Sequence, residues 1–150
     1  KITVKDTNIT FLTAQHWSAR GITDRLKTLW GSFLIEKDNK KVYFAGDTGY
    51  GPHFQDIGKQ YGPIELSLLP IGAYKPRWFM KYNHMDPEDA IQAHKDLKSN
   101  ESMAIHFGTF SLGDDGFEDP VNELSLALKA NDISPSTFYA PDFGEIKEIY

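Results

Sequence analysis

The sequence predicts one sandwich of strands and helices, of the α/β or α+β type, and three observations support this fold class. Short segments rich in β-branched and aromatic residues alternate with segments that carry helix-start signals. The 150 residues are 40% hydrophobic and 13% aromatic, which is enough for one buried core. The chain shows no internal repeat, low-complexity stretch or evident linker. Residues 1–150 are therefore interpreted as a single domain.

Eight short segments have the composition of β-strands and end at turn residues. Two turns, Lys5-Asp6-Thr7-Asn8 and Lys37-Asp38-Asn39-Lys40, predict hairpins because Asp and Asn favour tight turns. The predicted strands cover residues 2–4, 9–13, 32–36, 41–45, 65–69, 103–106, 138–139 and 145–150.

Three segments are typical of helices. Residues 54–61 predict a short helix. Asp86 followed by Pro87 predicts another, because Asp accepts hydrogen bonds from the first free amides and Pro suits the first helical position. This helix is expected to run to about Leu97. Asp119 and Pro120 repeat the signal and predict a second capped helix.

The composition limits the available chemistry. The chain has no cysteine, so any metal ion must be held by His, Asp or Glu. A formal net charge of -5 disfavours a nucleic-acid partner, which would need a basic surface. No apolar run approaches the roughly 20 residues that cross a bilayer. A cytoplasmic location and a peripheral position on a membrane both stay open.

Three residues share one placement that favours a functional role. His16, Asp47 and His106 each follow an apolar strand and precede a turn-like or glycine-containing stretch. Open sheets collect functional groups at such positions. Imidazole and carboxylate groups suit zinc, and a carboxylate can bridge two ions. The alternative is that each His is a hydrogen-bonded structural residue and that Gly-Asp-Thr-Gly is only a turn.

The other histidines have separate interpretations. His94 lies on the apolar stripe of its helix and is interpreted as structural. His53 precedes a polar helix and is expected at the surface. His84 lies two residues before a helix cap, where a satisfied loop histidine and a catalytic proton carrier remain alternatives.

Five motifs occur in one order and together resemble a known family. The sequence is similar to N-acyl-phosphatidylethanolamine-hydrolysing phospholipase D, within the metallo-β-lactamase superfamily, from about Phe11 to Phe110. Five ordered motifs are more specific than any one of them. They are Ala14-Gln15-His16-Trp17-Ser18, Leu29-Trp30-Gly31-Ser32-Phe33, Phe44-Ala45-Gly46-Asp47-Thr48-Gly49-Tyr50, His84-Met85-Asp86-Pro87-Glu88-Asp89-Ala90 and Met103-Ala104-Ile105-His106-Phe107-Gly108-Thr109-Phe110.

The resemblance implies a fold, a site and a reaction. The fold would be α+β, the C-terminal part of an αββα sandwich. His16 would ligate the first of two Zn²⁺ ions, Asp47 would bridge both, and His106 would ligate the second. His84 would lie beside the phosphate of a phospholipid or other small phosphodiester. Asp47 and His84 would then be the catalytic residues of a metal-dependent phosphodiesterase.

One departure from the family pattern changes the expectation for this chain. The family's upstream His-x-His-x-Asp-His cluster, which supplies ligands to both metals, does not occur in the 150 residues. The chain also begins at Lys1 and enters a strand pattern almost at once. We therefore expect a fragment that is inactive by itself. An exposed apolar sheet surface is expected to pair with a missing N-terminal half or with a second copy.

The loop before His84 combines cationic and large apolar residues. Trp78 and Phe79 are predicted either to contact a lipid surface or an acyl chain, or to close the core of the sandwich.

Other functional classes remain open at this stage. A metallo-β-lactamase-fold lactonase or another metal-dependent hydrolase would use much of the same site. Asp47-Thr48-Gly49 also matches the Asp-Thr-Gly signature of aspartic proteases, which need a second Asp. The third class is a non-catalytic binding domain.

Overall fold

Seven strands form one mixed sheet in the computed structural model, which describes residues 1–148. Their order across the sheet is their order along the chain, β1 to β7. The strands are β1 (Ile2–Val4), β2 (Thr7–Leu12), β3 (Ser32–Lys37), β4 (Lys40–Phe44), β5 (Ile64–Pro70), β6 (Ser99–Ile105) and β7 (Phe138–Tyr139). The helices are α1 (His53–Tyr61), α2 (Arg77–Met80), α3 (Pro87–Leu97) and α4 (Asp119–Ala130).

The sheet changes from antiparallel to parallel pairing at β4. Strands β1 to β4 pair antiparallel through short hairpins. At the β3–β4 hairpin Asp38 and Asn39 both have positive φ angles, which two-residue hairpin turns require. Strands β4 to β7 pair in parallel, and α1, α3 and α4 lie in the crossover connections. The mixed sheet with segregated helices confirms the α+β class.

Helices α1, α3 and α4 pack on one face of the sheet. A Cβ at Gly58 in α1 would collide with the Asp96 carbonyl of α3, so this glycine allows the two helices to approach closely. In the sheet, Leu34 and Tyr43 pair across β3 and β4 and are fully buried in the core.

The opposite face of the sheet is apolar and open. Phe11, Phe33 and Phe44 lie opposite one another across β2, β3 and β4, and Ile35 shares their face. These four side chains remain 37–46% exposed. The expected exposed apolar sheet surface is therefore present. We call these four residues the open face.

The helix starts follow the sequence prediction in one case and depart from it in another. The Asp86 carboxylate accepts a hydrogen bond from the Asp89 amide at 2.9 Å and caps α3 as predicted. The predicted side-chain cap of α4 is wrong. Glu118 occupies the cap position without a side-chain bond, while the Asp119 carboxylate accepts from the Gly116 amide in the preceding turn.

Two predicted strand boundaries also differ. Strand β6 begins at Ser99, four residues earlier than predicted, because parallel pairing with β5 extends to the polar residues before Met103. The strand predicted for residues 145–150 is wrong over 145–148, which pair with no neighbouring strand. Its last two positions lie outside the described residues. Across residues 1–148, no helix is both long enough and apolar enough to span a bilayer.

Candidate metal centre

Four polar side chains predicted from separate motifs meet at one edge of the sheet. His16, Asp47 and His106 follow β2, β4 and β6, which run in the same direction, so their carboxyl ends share an edge. His84 arrives from the loop between α2 and α3. His106 has φ of 59°, a left-handed conformation that is uncommon for residues other than glycine and recurs at functional sites.

The distances within this group are short. The ring centroids of His16 and His84 are 5.3 Å apart, and those of His84 and His106 are 5.5 Å apart. His106 Nε2 lies 3.1 Å from Asp47 Oδ1. The four residues form one cluster, which we call the His–Asp cluster.

The cluster perturbs its own protonation. The hydrogen bond from His106 lowers the pKa of Asp47, and the same bond raises the pKa of His106. Burial, with help from His106 and His16, lowers the pKa of His84 to about 4. Asp47 is therefore ionised near neutral pH, and the His84 ring is neutral.

The available nitrogen atoms fit a divalent cation in chemical type. His16 Nδ1 lies 2.8 Å from the Trp17 carbonyl, so it carries the proton and leaves a lone pair on Nε2. His16 Nε2 and His84 Nδ1 are buried without a hydrogen-bond partner. Buried polar atoms are seldom left unpaired unless something else binds them. Nevertheless, no three His, Asp or Glu side chains within residues 1–148 stand close enough to form a complete ligand set.

A buried hydroxyl joins the loops that carry the cluster. Thr48, fully buried, accepts a hydrogen bond from the Gln15 amide at 2.8 Å and donates one to the Gly49 carbonyl at 2.8 Å. The Gly49 amide donates a hydrogen bond to the Gln15 carbonyl at 2.9 Å, and the Met85 amide donates one to the Thr48 carbonyl at 3.1 Å.

The Gln15 side chain extends this network. Gln15 Nε2 donates to the Tyr82 carbonyl at 2.9 Å. Residues adjacent to His16, Asp47 and His84 are thus hydrogen-bonded to one another. We call this arrangement the Gln15–Thr48 clamp. Gln15 and Thr48 both occur in the sequence motifs, but neither was assigned a role from the sequence. Each is adjacent to a predicted metal ligand, and this position could have indicated a role in holding that ligand.

Arg77 is a second support that sequence reasoning missed. Its guanidinium donates to the His84 carbonyl at 3.0 Å and pairs with Asp89 at 2.7 Å and Asp86 at 3.0 Å. The sequence signal that could have indicated this role is Asp86, the acidic cap of α3, which lies nine residues after Arg77. Arg77 therefore ties the segment that carries His84 to the start of α3.

The remaining histidines lie outside the cluster. His94 is buried and its Nδ1 lies 2.8 Å from Ser102 Oγ, which confirms the structural interpretation. The surface prediction for His53 is wrong. His53 is only 8% exposed, because its ring packs on Phe54 with centroids 4.2 Å apart and its Nε2 lies 3.5 Å from the buried Thr48 Oγ1.

The geometry also separates the alternative classes. The Asp47 carboxylate pairs with the imidazole of His106 and meets no second carboxylate among residues 1–148. The aspartic-protease interpretation needs two carboxylates that share a proton. The cluster of three histidines and one aspartate instead has the composition of a metal-hydrolase site.

The match to a family model agrees with this class. Residues 1–107 match the beta-lactamase superfamily domain, and the chain belongs to the metallo-β-lactamase superfamily of hydrolases. The family assignment made from the five motifs is confirmed.

Individual relatives refine the comparison. The chain is 38% identical over 147 residues to N-acyl-phosphatidylethanolamine-hydrolyzing phospholipase D 1 of Caenorhabditis elegans, covering 96% of this chain and 41% of the relative. It is 35% identical to the mitochondrial protein of that activity from Saccharomyces cerevisiae, covering 88% of this chain and 29% of the relative. The chain therefore spans less than half the length of either protein.

A solved structure supports the fold. Igni18, described as a novel metallo hydrolase from the archaeon Ignicoccus hospitalis, superposes with a TM-score of 0.67 and 29% identity. The match covers 93% of this chain and 52% of Igni18.

Proposed function

We propose that the full-length gene product is a zinc-dependent phosphodiesterase that cleaves N-acyl-phosphatidylethanolamine-like phospholipids. The observation that carries this proposal is the convergence of His16, Asp47, His84 and His106 at one sheet edge, with unpaired nitrogen atoms on His16 and His84. The substrate class is supported by 38% identity to a relative named for that hydrolysis.

Each residue has a proposed role. His16 and His106 would supply nitrogen ligands, and the ionised Asp47 would supply oxygen ligands, to divalent ions. Such ions lower the pKa of a bound water and neutralise charge on a phosphoryl group. His84 is neutral at pH 7 because burial and its neighbours lower its pKa, so one ring nitrogen would donate a hydrogen bond to the phosphate.

The described chain supplies only part of this site. Residues 1–148 contain no complete ligand set, and the family's upstream ligand motif is absent from the sequence. Metal affinity falls steeply when ligands are missing. We therefore assign the activity to the full-length gene product and expect these 150 residues alone to be inactive.

The open face supports a second proposal about assembly. Its exposed Phe11, Phe33, Ile35 and Phe44 make an apolar surface of the kind that normally contacts another layer or partner. We propose that further residues of the gene product, or a second copy of this chain, cover it.

The loop before His84 is proposed to meet a lipid surface. Trp78 is 77% exposed and Phe79 is 59% exposed, so neither closes the core. Lys81 lies over the ring of Tyr82 in the same segment and adds a cation. Aromatic and basic side chains together favour a peripheral membrane contact. Sedimentation with phosphatidylethanolamine vesicles tests this contact, and a Trp78→Ser/Phe79→Ser variant that sediments like the unchanged protein contradicts it.

The test of the catalytic proposal is a metal and activity measurement on the full-length gene product. We expect about two metal ions per chain and hydrolysis of a phosphodiester. Asp47→Asn is expected to abolish hydrolysis and to reduce bound metal. Asp56→Asn is the matched control, because Asp56 is 77% exposed on α1. A protein that binds no metal and hydrolyses neither phosphodiesters nor lactones would refute the proposal.

A further inference from the structure

The loop between β2 and β3 is basic, although the protein as a whole is acidic. Residues 17–29 follow His16 directly, and we call them the basic loop. Their charged side chains are one carboxylate, Asp24, and three cations, Arg20, Arg25 and Lys27. The whole chain has a formal net charge of -5, so this positive charge is local. Local positive charge beside a polar site favours an anionic ligand.

Hydrogen bonds at its base fold the basic loop back on itself. The Leu26 amide donates to the Ser18 carbonyl at 2.7 Å. Ser18 Oγ donates to the Thr28 carbonyl at 2.6 Å and accepts from Thr28 Oγ1 at 2.9 Å. Arg25 precedes Leu26 and Trp17 precedes Ser18, so these bonds bring Arg25 and Trp17 together.

Arg25 lies one aromatic ring away from the His–Asp cluster. Its guanidinium carbon is 5.5 Å from the centroid of the Trp17 ring. The Trp17 ring is stacked with the His16 ring, with centroids 6.0 Å apart and planes inclined by 6°. A guanidinium that lies over an indole ring is held in place, while its N–H donors still point outward in the guanidinium plane. Arg25 is therefore a positioned cation beside a candidate metal ligand.

The charge of Arg25 is not neutralised by another side chain within residues 1–148. Its neighbour Asp24 instead accepts hydrogen bonds from the backbone amides of Arg20 at 3.1 Å and of Gly21 at 2.7 Å. Arg25 is exposed and forms no ion pair or side-chain hydrogen bond in this part of the chain. An arginine that is held in place without a counter-charge can form charge-assisted hydrogen bonds to an anion.

We propose that Arg25 binds a second anionic group of the ligand whose phosphoryl group lies at the His–Asp cluster. The ligand class is a phosphodiester that also carries a carboxylate or a further phosphate beyond the scissile group. The position of the phosphoryl group rests on the proposed function, whereas the second anion rests on the basic loop and its contact with Trp17. Because Trp17 lies between Arg25 and His16, Arg25 determines specificity and takes no part in bond cleavage.

Calorimetric binding of matched phosphonates to the metal-loaded full-length gene product tests this proposal. One series consists of ω-carboxyalkyl phosphonates with spacers of increasing length. The other consists of the corresponding carboxamides, which have nearly the same size but lack the second charge. At the best spacer we expect the carboxylate to bind about threefold more tightly at low salt, because an exposed ion pair contributes modestly. Equal affinity of the two series at every spacer length, or no binding of the carboxylates, overturns the proposal.

Three variants locate the effect. Arg25→Gln is expected to abolish the preference for carboxylates and to leave carboxamide binding unchanged. Arg25→Lys keeps the charge and should keep most of the preference. Arg20→Gln is the matched control, because it removes the same charge from an exposed position of the same loop and is expected to keep the preference. If Arg25→Gln weakens both series equally, or if Arg20→Gln has the same effect as Arg25→Gln, the specificity role is refuted.

Sedimentation with vesicles distinguishes an anion of the ligand from a neighbouring anionic lipid. The vesicles contain phosphatidylcholine alone or phosphatidylcholine mixed with phosphatidylglycerol. We expect Arg25→Gln to sediment with both kinds of vesicle like the unchanged protein. If Arg25→Gln loses binding to the anionic vesicles but keeps the preference for carboxylates, Arg25 contacts the membrane surface and the proposal is overturned.

The binding difference and the hydrolysis assay decide separate questions. A preference for carboxylates without hydrolysis of any phosphodiester supports the anion site at Arg25 and refutes the proposed function. Hydrolysis without that preference supports the proposed function and refutes the anion site.

Discussion

Replacement of Thr48 by valine tests whether the Gln15–Thr48 clamp positions the candidate ligands. Valine keeps the shape of threonine but removes the hydroxyl, which accepts from the Gln15 amide and donates to the Gly49 carbonyl at 2.8 Å each. Thr48 is fully buried, so water cannot replace these bonds. Leaving a fully buried amide unpaired costs about 1–3 kcal/mol of unfolding free energy, and the partly buried Gln15 amide should lie near the lower end of that range. The loop that carries His16 then loses one of its two short hydrogen bonds to the Asp47 loop, and the bond from the Gly49 amide to the Gln15 carbonyl remains.

The decisive measurement is metal affinity of the full-length gene product by chelator competition. Loss of a side chain that orients ligands lowers metal affinity about 10- to 100-fold. Thr48→Ser keeps the hydroxyl and loses one methyl group, which costs about 1 kcal/mol of stability but preserves the bond to Gln15. We expect the Ser variant to bind metal like the unchanged protein and the Val variant to bind it weakly. Equal metal affinity of the two variants would refute the positioning role.

Three further substitutions test individual features. Burial lowers the pKa of His53 from 6.5 to about 4, so the stability it confers is fully present above pH 6.5 and is lost as pH falls to 4. Urea titrations of the unchanged protein and of His53→Gln should therefore show that the unfolding free energy of the unchanged protein falls by about 3 kcal/mol more than that of the variant between about pH 6.5 and about pH 4. Parallel pH profiles of the two proteins contradict this prediction. Arg77→Lys loses the guanidinium group that joins the His84 carbonyl to the Asp86 and Asp89 carboxylates. Because Arg77 is partly exposed, the expected loss of unfolding free energy is about 1 kcal/mol. An unchanged urea midpoint argues against this supporting role. Asp86→Ala removes the cap of α3 and should cost about 1 kcal/mol, whereas no change in thermal midpoint would exclude a capping role.

Most strands and helices follow from local sequence signals. The β3–β4 hairpin was predicted from Asp38 and Asn39, which do adopt the positive φ angles of a tight turn. The start of α3 was predicted from Asp86 and Pro87, whose effects act within one helical turn. The extension of β6 to Ser99 was not predicted, because its polar residues become strand only through pairing with β5.

The metal-centre prediction drew on both local position and family motifs. Placement after apolar strands singled out His16, Asp47 and His106, and the structure brings these three together with His84. That placement works because same-direction strands end at one edge of a sheet. Their ligation of a metal ion stays a prediction.

The sequence by itself determined the family, the local elements and the residue types at the site, because motifs, caps and turns act over a few neighbouring positions. Only the tertiary structure decided that His53 is buried, that Arg77 supports His84 and that Thr48 joins two loops. These features depend on contacts between residues distant along the chain, and such contacts arise from packing of whole elements rather than from local preference.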